Sequence, residues 1–188
     1  MTRWEPGARG RLALAALELY GERGFDQTTV AEIAKRAGLT ERTFFRHFAD
    51  KREVLFAGSE LLRERLLHGI EEAPDGLAPI DLVGAALESA AEVFGERDAG
   101  TQLRQAVVAA NPELQERDLV KMALLAVALA DALRGRGVAE PAATLAAEAG
   151  IAVLKVAYRR WVNGTGGPSL RDGIRESLAE LKAVTAGA

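Results

Sequence analysis

Apolar residues in this chain return every three or four positions over long stretches, and nowhere alternate as a half-buried strand requires. Leu12, Ala15, Ala16, Leu19 and Tyr20 share one face of a first helix over residues 8–23, which Gly24 ends. Val30, Ile33, Ala34 and Ala37 draw the face of a second. Thr29 and Glu32 stand at its start with the spacing of a capping box, in which each side chain answers the other's backbone N–H. Gly38 takes the chain out of that helix with positive φ, and Leu39 folds back on the last turn. Thr40 caps a third helix, and Glu41 in its first turn complements the dipole. Phe44 and Phe48 share the inner face of this helix, while Arg42 and Arg46 take the opposite face, flanked by Thr43 and His47. Two short helices, a glycine turn and a cationic second helix make a DNA-binding helix-turn-helix.

Asp50-Lys51-Arg52-Glu53 repeats the capping pattern and predicts a fourth helix running to about His68, long enough to act as a lever. Residues 69–78 hold two glycines, a proline and three acids, and read as a linker. A fifth helix follows over 79–94 and a sixth over 101–109. Asn111-Pro112 opens a seventh, whose stretch from Met122 to Leu133 is apolar nearly all round and so belongs in the middle of a domain. An Ala-rich eighth helix covers 141–163, residues 164–167 form a loop, and a ninth helix follows Pro168-Ser169. On it Leu170, Ile174, Leu178 and Leu181 form one narrow stripe. A stripe of this kind beside an Ala-rich helix suits a four-helix packing in which two helices come from a second copy; the alternative is that both helices cover their own core. The pattern therefore predicts an all-α chain of about nine helices. The helix-turn-helix domain occupies residues 1–56 and a larger helical domain residues 57–188. Residues 1–7 have no periodicity and are expected to form an arm; Arg3, Arg9 and Arg11 either lie near phosphates or are ordinary solvated surface arginines.

Composition changes this picture in three places. The net charge of −3 disguises an asymmetry: residues 1–56 carry +2 and the rest −5, as fits a DNA reader joined to an acidic body. There is no cysteine, and the two histidines, His47 and His68, are too far apart to share a metal, so no metal and no cofactor are expected. No glycine-rich phosphate loop follows a strand and no nucleophile–base pair stands out, which argues against an enzyme. There is no apolar run of about eighteen residues and no signal peptide, so the chain is expected to be cytoplasmic, with no membrane partner.

Gly24-Phe25, Thr28-Thr29-Val30, Ile33-Ala34, Ala37-Gly38, Thr43 to Phe48 and Lys51 together resemble the DNA-binding domain of the tetracycline-repressor (TetR) family, without a gap from about Arg11 to Phe56. The resemblance implies a homodimer on a palindromic double-stranded DNA operator. Arg42, Thr43 and Arg46 would face the major groove, and Thr29, Thr40, His47 and Lys51 would hold phosphates. Phe45 stands where many family members have a tyrosine that touches phosphate, so here only the ring remains. The resemblance also implies dimerisation through the last two helices, with Leu170, Ile174, Leu178 and Leu181 at the interface. It further implies an effector pocket between the fifth to eighth helices, for which Leu87, Phe94, Leu103, Arg104, Val107, Met122 and Trp161 are the candidates. Arg104, on an otherwise apolar face, needs a protein carboxylate or an anionic ligand group as partner. The segments LRQAVVAANPELQERDL and RRWV are similar to regulator body domains whose ligands are often lipophilic. The function so implied is a ligand-responsive transcriptional regulator, a repressor released by a small lipophilic molecule. The alternatives are a helical binding protein or enzyme with a vestigial helix-turn-helix, and a constitutive DNA-binding protein without effector.

Overall fold

The computed structural model describes residues 7–95, 98–164 and 168–187. The predicted period becomes nine α-helices among these residues: α1 (Ala8–Arg23), α2 (Val30–Arg36), α3 (Glu41–His47), α4 (Ser59–Glu72), α5 (Pro79–Ala90), α6 (Ala99–Ala110), α7 (Pro112–Gly135), α8 (Ala142–Asn163) and α9 (Leu170–Ala186). Two 3₁₀ turns, Glu53–Phe56 and Ala91–Phe94, accompany them, and no strand occurs among the described residues. Arg3 of the expected arm and residues 165–167 of the expected loop lie outside the described residues. None of the described helices is long and apolar enough to cross a membrane.

The chain forms two compact units, divided differently from the expected boundary at residue 56. The first runs to Gly58 and also takes Asp98–Glu116; the second comprises Ser59–Arg97 and Arg117–Ala188. The sequence break misleads because α6 and the first turn of α7 are needed for the smaller core. Val107, Val108 and Leu114 are buried there with Leu12, Phe25, Phe44 and Phe56. Leu103 packs against the same cluster, where Gly21 leaves it room: a Cβ on that glycine would stand 2.8 Å from a Leu103 methyl.

The predicted fourth helix is two elements. Asp50 does accept the N–H groups of Arg52 (2.8 Å) and Glu53 (3.0 Å), as a cap would. The chain then makes a 3₁₀ turn, and α4 starts only at Ser59. Val54, Leu55 and Phe56 are consecutive and all buried, a pattern that one face of an α-helix cannot satisfy. The helix also runs further than predicted, to Glu72, through half of the supposed linker.

The second unit packs α4, α8 and α9 around α5, buried residues of α7 join the same core, and glycines set close approaches. A Cβ on Gly69 of α4 would lie 2.7 Å from the Ala86 Cα of α5, and one on Gly150 of α8 would run into Val83. The expected interface stripe on α9 is largely internal. Leu170 and Ile174 are buried in the chain's own core, and Leu178 sits over Gly84 of α5. The stripe was legible but its partner helices are the chain's own, so Leu170, Ile174 and Leu178 do not form a free dimer face. Leu181 is half-buried against the same core. Arg136, just past α7, donates to the carbonyls of Ile70 (2.7 Å), Glu71 (3.0 Å) and Ala73 (3.0 Å) and to Asp75 (2.8 Å). The orphan carbonyls that end α4 are thereby satisfied by one guanidinium.

Three capping carboxylates titrate below their ordinary range. The Thr29 N–H holds Glu32 down, followed by that residue's hydroxyl; the Thr101 N–H does so for Asp98, and the Ser169 hydroxyl for Asp172. With a lowered native pKa the unfolded chain binds the proton more tightly. These groups therefore stabilise the fold above the ordinary carboxylate range, and that contribution is lost as pH falls through their native values. Urea midpoints followed by circular dichroism should drop as the pH goes below the ordinary glutamate value of 4.5. Glu32→Gln should lower the neutral-pH midpoint and make the acid decline shallower.

Candidate nucleic-acid interface

The helix-turn-helix is built by local signals. Thr29 accepts the Glu32 N–H (3.3 Å) while the Glu32 carboxylate accepts the Thr29 N–H (2.9 Å), so the predicted capping box is closed in both directions. At the other end of α2, Gly38 adopts φ +67°. Its N–H reaches the Lys35 carbonyl (3.1 Å) and the Leu39 N–H reaches that of Ala34 (2.8 Å). This pair of bonds is a Schellman motif, and it sends the chain directly into α3. Thr40 caps α3 by accepting the Thr43 N–H at 3.2 Å and shares a 3.0 Å hydrogen bond with the Thr43 hydroxyl. Phe44, fully buried, locks the inner face of α3 against Phe48.

The outer face is distinguished by charge that has no partner. Several other cations of this unit are consumed. Arg23 pairs with Glu32 at 2.6 Å, Arg36 with Glu18 and Glu22, and Arg52 with Asp50 and Glu113. The bond from Arg36 also holds the Glu22 carboxyl below its ordinary range. Arg9 donates to the carbonyls of His47 and Ala57, both at 3.1 Å, and covers the Phe48 ring, so its guanidinium braces this unit. Arg42 and Arg46 on α3 are exposed, with no ion pair or hydrogen bond among the described residues; Arg11 and Lys35 share this condition. Phe45 on the same helix is 56% exposed and meets Phe44 in a T-shaped ring contact.

Two expected phosphate contacts are differently placed. Lys51 turns inward onto three backbone carbonyls, of Phe25, Asp26 and Thr28. His47 is half-buried, with a buried Nε2 that has no hydrogen-bond partner among the described residues. Thr29 and Thr40 are exposed, although both hydroxyls already serve their own helices. Sequence reasoning missed Thr28, a buried threonine whose hydroxyl donates to the Gly24 carbonyl at 2.9 Å and so shapes the turn before α2.

The expected effector residues do not converge. Leu103 and Val107 belong to the core of the first unit. Arg104, in the same unit, donates from Nε to the Leu55 carbonyl at 2.7 Å and lies 5.3 Å from the Phe56 ring centre. The partner that its position demanded is therefore a backbone carbonyl. Leu87 and Trp161 are ordinary core of the second unit, with Phe94 joined to Trp161 through Tyr158. Only Met122 lines the cleft of about 610 Å³ that opens between α4 and α7. Its walls include Leu67, Leu124, Val127 and Ala128, and charged groups border it: Glu60, Arg63, Glu71, Lys121 and Asp131. Leu124 and Val127 are more than half exposed, as are Leu119 and Val120. The all-round apolar stretch of α7 is thus not central in the way expected. One side meets the core through Leu125, Leu129 and Leu133, and another faces the cleft. Among the described residues no three histidine or carboxylate side chains could hold a metal ion.

Two family models divide the chain between them. Residues 13–57 match "Bacterial regulatory proteins, tetR family", and residues 77–186, more than half of the chain, match "MftR C-terminal domain". The chain belongs to the TetR family. The HTH-type transcriptional regulator TcmR of Streptomyces glaucescens is 37% identical over 81 residues, 43% of this chain and 36% of TcmR. The class A tetracycline repressor of transposon 1721 from Escherichia coli is 29% identical over 119 residues, covering 63% of this chain and 53% of that protein. The match thus spans about a third to a half of these curated relatives. Among solved structures, Thermus thermophilus FadR, a TetR-family repressor in complex with lauroyl-CoA, is 26% identical, with 93% of each chain covered and a TM-score of 0.54. TcmR and the class A tetracycline repressor are both described as transcriptional regulators or repressors.

Proposed function

We propose that this protein is a repressor that binds a palindromic operator as a homodimer in the cytoplasm and releases it on binding a lipophilic molecule. The observation that carries the DNA reading is the free positive charge of Arg42 and Arg46, close together on the exposed face of α3, while Arg23 and Arg36 are held in ion pairs. Arg42, Thr43 and Arg46 read the major groove. The N-terminal turns of α2 and α3, at Thr29 and Thr40, approach phosphates through their N–H groups, and the Phe45 ring packs beside the backbone. The test is in vitro selection from random duplexes, followed by anisotropy titration. Enrichment of an inverted repeat supports the reading, and an unenriched pool rejects it.

The effector site is the α4–α7 cleft, in place of the scattered residues first expected. An elongated amphiphile suits it: the wall is aliphatic, and Arg63 and Lys121 at one end are the cations that border it. The likeness to a repressor described with lauroyl-CoA supports the same ligand class. Lauroyl-CoA should weaken operator binding, and Ala128→Trp, which fills the cleft, should abolish that response while leaving operator affinity in place. An operator complex indifferent to lauroyl-CoA and to dodecanoate would point to a constitutive binder.

Dimerisation uses the outward faces of α8 and α9, where Leu145, Ala152 and Val156 are exposed beside Ala179 and Ala183. Residues of this size allow close helix approach. Val156→Asp would bury an unpaired charge at such an interface, a cost of several kcal/mol. Light scattering should then report monomer, with operator affinity falling in parallel, while circular dichroism stays unchanged because Val156 is 49% exposed in the single chain. A variant that remains dimeric would move the interface elsewhere.

A further inference from the structure

Lys51 follows the recognition helix at the position where the sequence pattern expects a phosphate contact. Its ammonium is committed elsewhere. Nζ donates to the carbonyls of Phe25 (2.9 Å), Thr28 (3.0 Å) and Asp26 (3.3 Å), and lies 4.4 Å from the centre of the Phe25 ring. An ammonium has three protons, and three carbonyls account for all of them. Two further bonds complete the grip. The Lys51 carbonyl accepts the Tyr20 hydroxyl at 2.6 Å, and the Thr28 N–H closes the same loop on Phe25 at 3.2 Å. Tyr20 is buried in the core, where desolvation first and the Asp50 carboxylate second push its pKa up, so it remains a donor.

From this geometry we infer that Lys51 is a positioning residue and not a phosphate contact: its ammonium ties the loop that begins α2 to the segment that leaves α3. The Phe25 carbonyl also accepts the Thr28 N–H, whereas without Lys51 the carbonyls of Asp26 and Thr28 would have to turn to water. A phosphate could claim the ammonium only by breaking the bonds that hold Thr29, the cap of α2, in register with α3. The inference rests on α3 being the helix that meets DNA.

The roles separate in how binding depends on salt. A phosphate contact contributes about 0.9 to the slope of log K against log[salt], and an arginine fulfils that role as well as a lysine. The full chain should be titrated with a non-specific 20-base-pair duplex over a range of salt, comparing wild type, Lys51→Met, Lys51→Arg and Arg46→Met. On this non-specific duplex Arg46 has no chosen base to read and its charge lies against the phosphates, so Arg46→Met should lower the slope by about 0.9, whereas Lys51→Met should leave it at the wild-type value. At a temperature where each variant is folded by circular dichroism, both Lys51 variants should lose about tenfold in preference for the selected operator over this duplex, the scale of one misplaced base contact. In wild-type protein, through-bond NMR couplings from the Lys51 ammonium to the Phe25 and Thr28 carbonyl carbons should persist when the duplex is added. This measurement stands even if the variants fold poorly. Loss of those couplings on adding DNA, a reduced slope in Lys51→Met, an unchanged operator preference, or full rescue by arginine would each overturn the inference. An unchanged slope in Arg46→Met, with the couplings intact, would instead remove α3 from the DNA and leave the internal clamp standing.

Discussion

Replacing both Arg42 and Arg46 by alanine is expected to abolish operator preference, with a loss on the order of 10³-fold against the selected sequence. An arginine bidentate to a guanine edge contributes ~1–3 kcal/mol of discrimination, and two such contacts four residues apart add if they read separate bases. The fold should be indifferent to the change. Both side chains are exposed and make no ion pair among the described residues, so thermal midpoints should agree with wild type within the usual spread for surface substitutions, about 0.5 kcal/mol. Single variants should each relax the sequence requirement at one position of the half-site. Equal losses on operator and scrambled duplex would mean that the two arginines hold phosphates.

The largest effect on stability should come from a residue without a side chain. A Cβ on Gly69 would approach the Ala86 Cα to 2.7 Å, and that atom is backbone, unable to turn aside. Gly69→Ala gains about 1 kcal/mol of helix propensity, which offsets part of the clash. Gly69→Val loses most of that gain and adds two methyl groups at the same point. It should destabilise the second unit by about 3 kcal/mol, lowering the thermal midpoint by ~10 °C. Calorimetry checks this directly, and a midpoint within 2–3 °C of wild type, the scale of about 1 kcal/mol, would show that α4 and α5 can separate at little cost.

What could be read in advance follows the range of the forces involved. The α2 cap, the Gly38 turn and the inward pair Phe44 and Phe48 depend on residues within five positions, and the pattern announces them. Failures begin where a partner is distant. Asp50 carries a cap signature and does bind the next N–H groups, yet three successive buried residues turn the segment into a 3₁₀ bend. Arg104 declared its need for a partner, but the one it found is a main-chain carbonyl 49 positions away, which no side-chain pattern encodes. Lys51 is the same case with three carbonyls, and Leu170 and Ile174 are its apolar counterpart. The α4–α7 cleft stayed hidden because an apolar residue facing a ligand space has the same identity as one facing the core.

The grip of Arg136 on α4 gives that cleft a hinge. Its guanidinium holds the last turn of α4 beside the end of α7, near Glu71 and Ala132, so the two helices cannot part there without breaking four hydrogen bonds. Any widening must therefore be a splay, with an amplitude that grows along α4 toward Ser59. A molecule that wedges into the aliphatic trough does most of its work at the far mouth, by Ser59 and Lys121, and least at the pinned end. Chain length should consequently govern potency: short amphiphiles that reach only the hinge would occupy the cleft and change nothing, and longer ones would pry it open.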